Sequence, residues 1–402
     1  MSNGLKMHQN KIKVAFKDIC INGWTGGINY FNNLFRALKY MGSFVEPVLI
    51  IPKNETAKFI KIFGNDINII ESSVYEDKSL LNKINRKFYK CTKKNIILDW
   101  YYKSKNIQIF SHLSNFSIDT NLKKIGWIPD FQHIHMPEIF SEEELQVRNH
   151  QFKLSIEKSN IVLLSSYSAF DDFKTFAPKF ESKVRILPFV SMPNSNFFNS
   201  NTEIGNIIEK KYKINSKNKF FYLPNQFWKH KNHKVVFEAV KILKDKDIDV
   251  KLICTGLMND YRGNNHINSL IDFIKINNLS SNILILGLVD IEEVHFFMRN
   301  CISLINPSLF EGWSSTVEEA KSIGKNLILS NIAVHKEQNP PVAKYFATDN
   351  PYELAILMEE NWNKYTYGPD YDLEKQAKIN LKTRIESFVK TYEECIKECL
   401  QY

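Results

Sequence analysis

Short runs of apolar, β-branched residues alternate with longer amphipathic stretches along most of the chain. This alternation is typical of βαβ units, in which helices join parallel strands. The runs fall into two sets, and the strands that they predict cover residues 13–16, 45–51, 67–70, 107–112, 124–128 and 161–165 in the first set and residues 220–223, 250–254, 283–286, 302–305, 326–329 and 344–347 in the second. The sequence therefore predicts an α/β protein built from two doubly wound, Rossmann-like domains.

The stretch between the two sets is rich in proline, asparagine and serine, which makes residues 188–196 the best candidate for a hinge. A chain of 402 residues is also too long for one ordinary core and suits two α/β domains. We expect an N-terminal domain at residues 1–192, a C-terminal domain at residues 193–372 and a helical tail at residues 373–402. Such sheets bind ligands at the carboxyl ends of their strands, so a cleft between two of them suits a bridged substrate.

The net charge and the cysteines limit the possible functions of the protein only loosely. A net charge of +9 favours an anionic partner such as a nucleotide, a phospholipid surface or a nucleic acid, although a solvated lysine-rich surface explains it equally simply. None of the six cysteines forms a C-x-x-C pair, which predicts buried free thiols in a reducing compartment rather than zinc ligands or disulfides. The N-terminus lacks an apolar signal region, and no apolar run is long enough to span a bilayer, so we expect a cytoplasmic protein, at most peripheral to a membrane.

The most informative segment covers residues 306–320, where a predicted strand passes through a glycine-containing turn into a predicted helix. Ser315 and Glu318 have the S-x-x-E spacing of a capping box, which predicts that the helix begins there. The free N–H groups and the positive dipole end of such a helix suit a diphosphate. Glu311 and Glu319 flank this position and could accept hydrogen bonds from sugar hydroxyls. Taken alone, a capped surface helix with incidental acids would explain the segment too.

A basic loop directly follows the first predicted strand of the second domain, at residues 225–233. It contains Lys229 and Lys231 at the edge of the sheet where α/β proteins bind ligands. Lysine is a compact point charge that suits a diphosphate. A solvated basic turn is the simpler reading of this loop by itself.

Together, the basic loop and the later E-x7-E spacing resemble the retaining GT-B glycosyltransferases of family 4. The family signature E-G-x-G-x-P-x-x-E is matched by Glu311, Gly312 and Glu319. The resemblance covers nearly the whole chain. It implies two Rossmann-like domains that face each other across a cleft, with a C-terminal helix that packs back toward the N-terminal domain.

The chain departs from the family pattern at two places. Many relatives carry an arginine where this chain has Gln226, five residues before the matching Lys231, and Lys229 could replace the lost charge. The G-x-P part of the signature is replaced by Ser314, Ser315 and Thr316. Both departures weaken any inference about which sugar is transferred.

Two elements of the first domain extend the resemblance. Gly26 and Gly27 follow the first strand and open a helix, and the family uses this glycine pair beside the donor phosphates and the acceptor. The family also places a histidine next to the donor sugar within the segment 127–138, where either His133 or His135 could match and His133 is favoured. A tight loop and a structural histidine are the alternatives, and the weaker match at residues 165–168 could equally be a helix N-cap.

The resemblance implies a mechanism without metal or cofactor. Lys231, Lys229 and the N–H groups of Ser314–Thr316 would stabilise the departing diphosphate, with Gly27 opposite. Glu319 would bind the ribose and Glu311 the donor sugar. No D-x-D triplet occurs, so protein cations would take the place of a divalent metal.

The acceptor is indicated by a basic and aromatic segment at residues 78–106. It holds a single acid, Asp99, among nine basic residues and five interleaved aromatic residues, which are Lys78, Lys83, Arg86, Lys87, Lys90, Lys93, Lys94, Lys103 and Lys105 with Phe88, Tyr89, Trp100, Tyr101 and Tyr102. Such a surface suits anionic lipid, which favours a polyprenyl-diphosphate-linked glycan of a bacterial surface polysaccharide, such as a lipopolysaccharide, as the acceptor. A solvated helix face explains the segment equally well.

Other functions remain open at this stage. The same fold serves sugar-nucleotide epimerases and phosphorylases, although no cofactor lysine motif is evident, and the glycine spacing is not the G-x-G-x-x-G of nicotinamide sites. A nucleic-acid-binding protein could use the basic segment, but Glu311 and Glu319 would then have no purpose. A catalytically silent scaffold is disfavoured by the retained lysine and glutamates.

Overall fold

The computed structural model describes residues 11–17, 19, 25–72, 83–84, 87–89, 92, 95–113, 120–193, 195–198, 202–215, 217–260 and 265–402. The chain divides into two compact units: unit 1 comprises Met1–His133, Ser141–Val190 and Arg384–Tyr402, and unit 2 comprises Ile134–Phe140 and Ser191–Thr383. Two of the six cysteines, Cys20 and Cys91, lie outside the described residues, as do the basic residues Lys78, Arg86, Lys90, Lys93 and Lys94.

Unit 1 contains a seven-stranded parallel sheet in the order β3-β2-β1-β4-β5-β6-β7. Its strands are β1 (Ile12–Lys17), β2 (Val45–Ile51), β3 (Asn68–Glu71), β4 (Ile107–Leu113), β5 (Lys123–Ile128), β6 (Ile161–Leu164) and β7 (Val184–Ile186). The helices described in this part of the chain are α1 (Thr25–Tyr40), α2 (Thr56–Phe63), α3 (Ile96–Ser104), α4 (Gln132–His135), α5 (Glu142–Lys158) and α6 (Tyr167–Phe176), with 3₁₀ turns at Pro137–Ile139 and Pro178–Lys183. The strand order reverses between β1 and β4.

Unit 2 contains a six-stranded parallel sheet in the order β10-β9-β8-β11-β12-β13. Its strands are β8 (Phe221–Leu223), β9 (Leu252–Cys254), β10 (Ile283–Ile285), β11 (Ser303–Asn306), β12 (Leu327–Ser330) and β13 (Ala343–Phe346). The helices are α7 (Thr202–Tyr212), α8 (His233–Asp245), α9 (Asn265–Ile276), α10 (Ile291–Asn300), α11 (Ser315–Ile323), α12 (Ala333–Gln338), α13 (Pro351–Lys364) and α14 (Tyr371–Gln401), with 3₁₀ turns at Ser195–Phe198 and Lys229–Lys231. The order here reverses between β8 and β11.

The predicted α/β class with two parallel sheets is confirmed. Every strand predicted from the sequence is present, and its ends lie within about two residues of the predicted ones. The strand β7 was missed because its three residues, Val-Arg-Ile, are too short to show a period. The cysteines Cys254, Cys301, Cys395 and Cys399 are buried free thiols, as expected for these positions.

Side chains on both faces of the unit 2 sheet are buried, which explains why its strands appear as unbroken apolar runs. Along β8, Phe221 and Leu223 pack in one core cluster with residues of α8 such as Phe237. Tyr222 points the other way and packs in a second cluster with Phe297 of α10 and Val317 of α11. Because both faces are packed, the ends of β8 and β11 are held in place, and the loops that follow them leave the sheet at fixed positions.

The long helix α14 belongs in part to each unit. In unit 2, Arg299 Nε donates to Glu374 Oε1 at 2.7 Å, and both side chains are largely buried. In unit 1, Tyr392 donates its hydroxyl to Ser111 Oγ at 2.9 Å, close to the pair formed by Arg185 and Glu398, whose Nε and Oε2 lie 2.8 Å apart. In the described part of the chain, no helix combines the length and apolar character that crossing a bilayer requires.

The beginning of α14 packs against Gly324, and this contact generates a stability prediction. Gly324 has φ +70°, and a Cβ there would lie 2.3 Å from Leu373 O. Gly287 has nearly the same φ, +69°, with nothing within 4 Å of its Cβ position. We expect both Gly→Ala variants to lose about 1 kcal/mol from the left-handed backbone, and Gly324→Ala to lose a further ~1–3 kcal/mol from overpacking. Urea unfolding measures the difference. Equal losses in the two variants would contradict the close packing.

Candidate active site

The candidate site lies where the strand order of unit 2 reverses. β8 and β11 are adjacent and parallel, so the loops that follow them leave the same edge of the sheet. The two loops touch directly, because Leu309 N–H donates to His230 O at 2.8 Å. Ligands of doubly wound proteins bind at this kind of switch point. The sheet therefore brings the basic loop and the glutamate-containing turn together.

Lys231 and Glu311 form an ion pair at the centre of this edge. Lys231 Nζ lies 2.6 Å from Glu311 Oε1, and the exposed fractions of the two side chains are 18% and 10%. The Ser308 hydroxyl lies 2.7 Å from the same oxygen. Burial by itself would raise the pKa of the Glu311 carboxyl, but the charge of Lys231, together with His335 and the hydrogen bonds from Lys231 and Ser308, outweighs it and lowers the pKa to about 2. Glu311 is therefore ionised at neutral pH and is held by a cation.

A buried polar network connects the two loops that carry the pair. Asn225 Nδ2 donates to Asn306 Oδ1 at 3.0 Å, which ties the end of β8 to the end of β11. Asn306 Nδ2 donates in turn to Ser314 Oγ at 2.8 Å. All three side chains are buried, so the bonds act in a low dielectric and fix the loops.

The capping residue of α11 is Ser314, so the prediction that Ser315 caps this helix was wrong by one residue. Ser314 Oγ accepts a hydrogen bond from Val317 N–H at 3.4 Å. The bond from Asn306 holds the Ser314 hydroxyl in place for this role. Glu318 does not close a capping box, because its Oε1 instead accepts bonds from Lys321 Nζ at 2.9 Å and Gln338 Nε2 at 3.1 Å.

The first turn of α11 offers backbone N–H groups for an anion. Ser314 N–H is already used, since it donates to Gln338 Oε1 at 3.2 Å. Among the described residues, no acceptor is found for the N–H groups of Ser315 and Thr316. These two groups, at the positive end of a nine-residue helix, form the open part of the site.

Glu319 is half-buried on α11, and its carboxyl differs sharply from that of Glu311. Desolvation raises the pKa of Glu319 to about 7. Within the described ranges, no hydrogen-bond or ion-pair partner of Glu319 is found. Unlike Glu311, this carboxyl therefore lacks a compensating cation.

The remaining predicted positions of unit 2 lie on the same two loops as the pair. Lys229 is exposed at the start of the same 3₁₀ turn that holds Lys231, whereas Gln226 and Gly312 are half-buried. Gly256 was not predicted, yet it allows the loop after β9 to press on the basic loop. Its φ is +139°, and a Cβ there would lie 2.4 Å from Asn225 O.

The two candidate histidines lie in different surroundings. His133 is buried among the rings of Phe131, Phe152 and Phe176, and its Nε2 lies 3.1 Å from Asn149 Oδ1. Burial lowers its pKa. The catalytic role of His133 stays a prediction.

His135 groups instead with unit 2. Its ring centroid lies 5.0 Å from that of Phe310, the residue before Glu311. This histidine is therefore adjacent in the fold to the glutamate-containing turn.

Gly26 and Gly27 lie in the first turn of α1, in unit 1. Gly27 is buried and Gly26 half-buried. The helix that they open is anchored one turn later, where the Tyr30 hydroxyl lies 2.6 Å from His112 Nε2. At residues 165–168 the N-cap reading is confirmed, since Ser166 Oγ accepts from Ala169 N–H at 3.0 Å.

Solved structures resemble the chain over almost its whole length. A glycosyltransferase from Rickettsia africae matches with a TM-score of 0.68 at 19% identity, covering 98% of this chain and 99% of the other. HepE of Anabaena in complex with UDP and glucose matches with a TM-score of 0.65 at 13% identity, covering 96% and 99%. WaaG, a glycosyltransferase involved in lipopolysaccharide biosynthesis, matches with a TM-score of 0.58 at 12% identity, covering 95% and 98%. These similarities show that the chain has the GT-B fold.

A sequence comparison identifies a known domain in the second half of the chain. Residues 206–355 match the family Glycosyl transferases group 1, and this range contains both the basic loop and the glutamate-containing turn. Residues 206–355 therefore carry a group 1 glycosyltransferase domain. No curated protein sequence matches it significantly.

Sequence reasoning missed the residues that support the site from behind. Asn225 and Asn306 stand at strand ends, and that position was the available signal for a bond between the two loops. Gln338 lies 24 residues after Ser314, so no local spacing could have linked them.

The ion pair leads to a prediction about pH and stability. In Lys231→Met, burial would dominate and raise the pKa of Glu311 above its ordinary value, and the unpaired carboxylate should cost ~3–5 kcal/mol at pH 8. In the wild type, the lowered pKa adds stability above about pH 4.5 that is lost toward pH 2. In the variant the sign reverses: stability is greatest at low pH and falls as the pH rises through the new pKa. Urea unfolding at pH 5 and pH 8 measures the effect in the variant, and a further measurement at pH 3 measures the loss in the wild type.

Lys234 provides the control, since its exposed ion pair with Glu238 has an N–O distance of 3.6 Å. Lys234→Met should change stability by less than about 0.5 kcal/mol. Adding Glu311→Gln to Lys231→Met should recover part of the loss. If the two lysine variants were equally stable at both pH values, the buried pair would not have the strength described here.

Proposed function

We propose that the protein is a retaining, metal-independent glycosyltransferase that moves a sugar from a nucleoside-diphosphate sugar to a glycan or lipid-linked glycan. The observation that carries this proposal is the buried Lys231–Glu311 pair beside the open N-terminus of α11. A cation and two free N–H groups suit a diphosphate, and a carboxylate next to them suits a sugar hydroxyl.

The donor is proposed to bind in the C-terminal domain, at residues 193–372. Lys231, Lys229 and the N–H groups of Ser315 and Thr316 would bind the diphosphate, with Gln226 nearby. HepE, which shares the fold, was crystallised with UDP and glucose, and this supports a nucleotide-sugar donor carrying a hexose. Gly26 and Gly27 of the N-terminal domain would approach the donor phosphates and the acceptor.

The two glutamates are proposed to have different partners. Glu311 is ionised and fixed by Lys231, so it can accept hydrogen bonds from the donor sugar without moving. No cation pairs with Glu319 in the described part of the chain, and ribose hydroxyls would supply the donors that its carboxylate needs. Of the two histidines, the contact with Phe310 supports His135 as the one nearer the donor sugar, while His133 remains the choice made from sequence.

In the proposed reaction, the bond from the anomeric carbon to the diphosphate oxygen breaks while the bond to the acceptor oxygen forms. Negative charge grows on the leaving diphosphate, where Lys231 and the helix N–H groups stabilise it. The acceptor attacks from the leaving-group side, and a phosphate oxygen takes the proton of the acceptor hydroxyl. The configuration of the sugar is retained, and protein cations do the work of a divalent metal.

A nucleotide titration tests the donor site. We expect one of UDP, GDP, dTDP or CMP to raise the melting temperature, equally with and without Mg²⁺, because at one hundred times Kd it adds about 2.7 kcal/mol to the free energy of unfolding. Glu319→Ala should lose most of this shift. Absence of a shift with all four nucleotides would overturn the proposed function.

The same titration across pH isolates the role of Glu319. Its raised pKa of about 7 means that the free carboxyl is half protonated at neutral pH, and ribose hydroxyls bind the ionised form. Affinity should therefore rise from pH 6 to pH 8 more steeply in the wild type than in Glu319→Gln, in which only the phosphate titrates. Calorimetry at several pH values measures both slopes. Parallel slopes would remove Glu319 from the ribose site.

The acceptor is proposed to be presented at the anionic inner face of the membrane. On α3, Ile96, Trp100 and Lys103 share one face and are exposed, Trp100 by 69%. The single acid of this region points inward, since Asp99 Oδ1 accepts the Asn121 N–H at 2.9 Å. WaaG acts in lipopolysaccharide biosynthesis, and this supports a role in surface polysaccharide synthesis.

Vesicle sedimentation tests the membrane contact. The protein should sediment at low salt with vesicles that contain phosphatidylglycerol but not with neutral vesicles, because basic residues and an exposed indole favour an anionic interface. Trp100→Ser should weaken binding several-fold. Tyr352→Ser is the matched control, since Tyr352 is exposed by 68% but lies on α13 of unit 2. If both variants bind as the wild type does, α3 is not the contact surface.

A further inference from the structure

Gln338 is a fully buried amide that lies at the end of α12 and reaches the first turn of α11. Its exposed fraction is 2%, and its side chain makes both of its contacts with Ser314 through opposite ends of the amide. Oε1 accepts the Ser314 N–H at 3.2 Å, and Nε2 donates to Ser314 O at 3.0 Å. Because a backbone N–H can only donate and a carbonyl can only accept, the orientation of the amide is fixed.

Further bonds hold the same amide and its backbone in place. Gln338 Nε2 also lies 3.1 Å from Glu318 Oε1, and Lys321 Nζ joins Glu318 Oε1 at 2.9 Å to Gln338 O at 2.6 Å. The last turn of α12 and the first turn of α11 are thus connected through both the side chain and the backbone of Gln338. Ser314 receives a second fixed contact from Asn306 on its hydroxyl.

This arrangement determines which N–H groups of α11 are open. The Ser314 N–H is consumed by Gln338, while those of Ser315 and Thr316 have no acceptor among the described residues. A carboxylate or an apolar side chain at position 338 could not satisfy the N–H and the carbonyl of Ser314 together. The direction of the two open N–H groups therefore depends on the amide of Gln338.

We propose that Gln338 is a positioning residue for the donor diphosphate: it does not touch the ligand, but it holds Ser314 so that the N–H groups of Ser315 and Thr316 face the phosphate. The inference rests on the proposed function of this site. A residue with this role affects the phosphate part of the ligand and leaves the nucleoside part unchanged. A residue that only stabilises the fold affects both parts alike.

The test uses Gln338→Met, which keeps the length of the side chain and removes its hydrogen bonds. Calorimetry compares the affinity for whichever of UDP, GDP and dTDP binds the wild type most tightly with the affinity for the matching nucleoside. We expect the variant to bind the diphosphate about tenfold more weakly, as for the loss of one well-directed bond, and the nucleoside within about twofold. The control Asn361→Leu removes another buried bond of unit 2, from Asn361 Nδ2 to Ser303 Oγ at 2.9 Å, and should leave the ratio of the two affinities unchanged.

The outcomes separate the inference from the proposed function. If the wild type binds the diphosphate and Gln338→Met keeps the wild-type ratio, the positioning role is overturned and the donor site stands. If the wild type binds none of the three diphosphates, the proposed function is overturned and this role with it.

A measurement on the wild-type protein tests the same role in case the Gln338→Met variant does not fold. In amide hydrogen exchange, the Ser314 N–H should be protected before any ligand is added, whereas those of Ser315 and Thr316 should become protected only with the diphosphate. Protection of Ser314 that appears only with the diphosphate would overturn the inference.

Discussion

The parallel pairing of β8 with β11 is the constraint on which the candidate site depends. Parallel strands that lie side by side must both end at the same edge, and a reversal of strand order leaves their following loops with no helix between them. Asn225 and Asn306 join the two strand ends directly, so the loops are fixed relative to each other before any ligand arrives. The glutamate-containing turn and the basic loop are therefore one structure, although about 80 residues separate Lys231 from Glu311 in sequence.

The two glutamates show how the same side chain can be prepared for different tasks. Glu311 and Lys231 balance each other inside the protein, so the pair adds no net charge and the carboxylate stays ionised. Glu319 is desolvated, no cation pairs with it among the described residues, and its raised pKa of about 7 leaves the carboxyl about half protonated at neutral pH. One carboxylate has its geometry fixed in advance, while the other gains its partners from a ligand. A difference of this kind in environment is typical of functional sites.

The sequence was sufficient to predict the strands because most of their apolar runs are buried and all are bounded by polar loops. It also predicted that the basic loop and the glutamate-containing turn lie at strand ends, since each directly follows a strand. The sequence was not sufficient where the decisive contact joins residues far apart in the chain, or where several adjacent residues could fill the same role. Three consecutive hydroxyl residues, 314–316, could each cap α11, and only the bond from Asn306 selects Ser314. The close approach of Gly256 to Asn225 and the contact of Gln338 with Ser314 depend on the packing of loops that no period in the sequence describes.

The division of α14 between the two units has a consequence for how the chain is made. Unit 1 consists of the first part of the chain and Arg384–Tyr402, and the Tyr392 hydroxyl completes its interior by bonding to Ser111. When only the first half of the chain has been synthesised, the strands of unit 1 are present but the part of α14 that packs on them is not yet made. Unit 2, apart from its short Ile134–Phe140 piece, is continuous and can close as it is synthesised. The unit that begins first in synthesis is thus the one whose last element is made last.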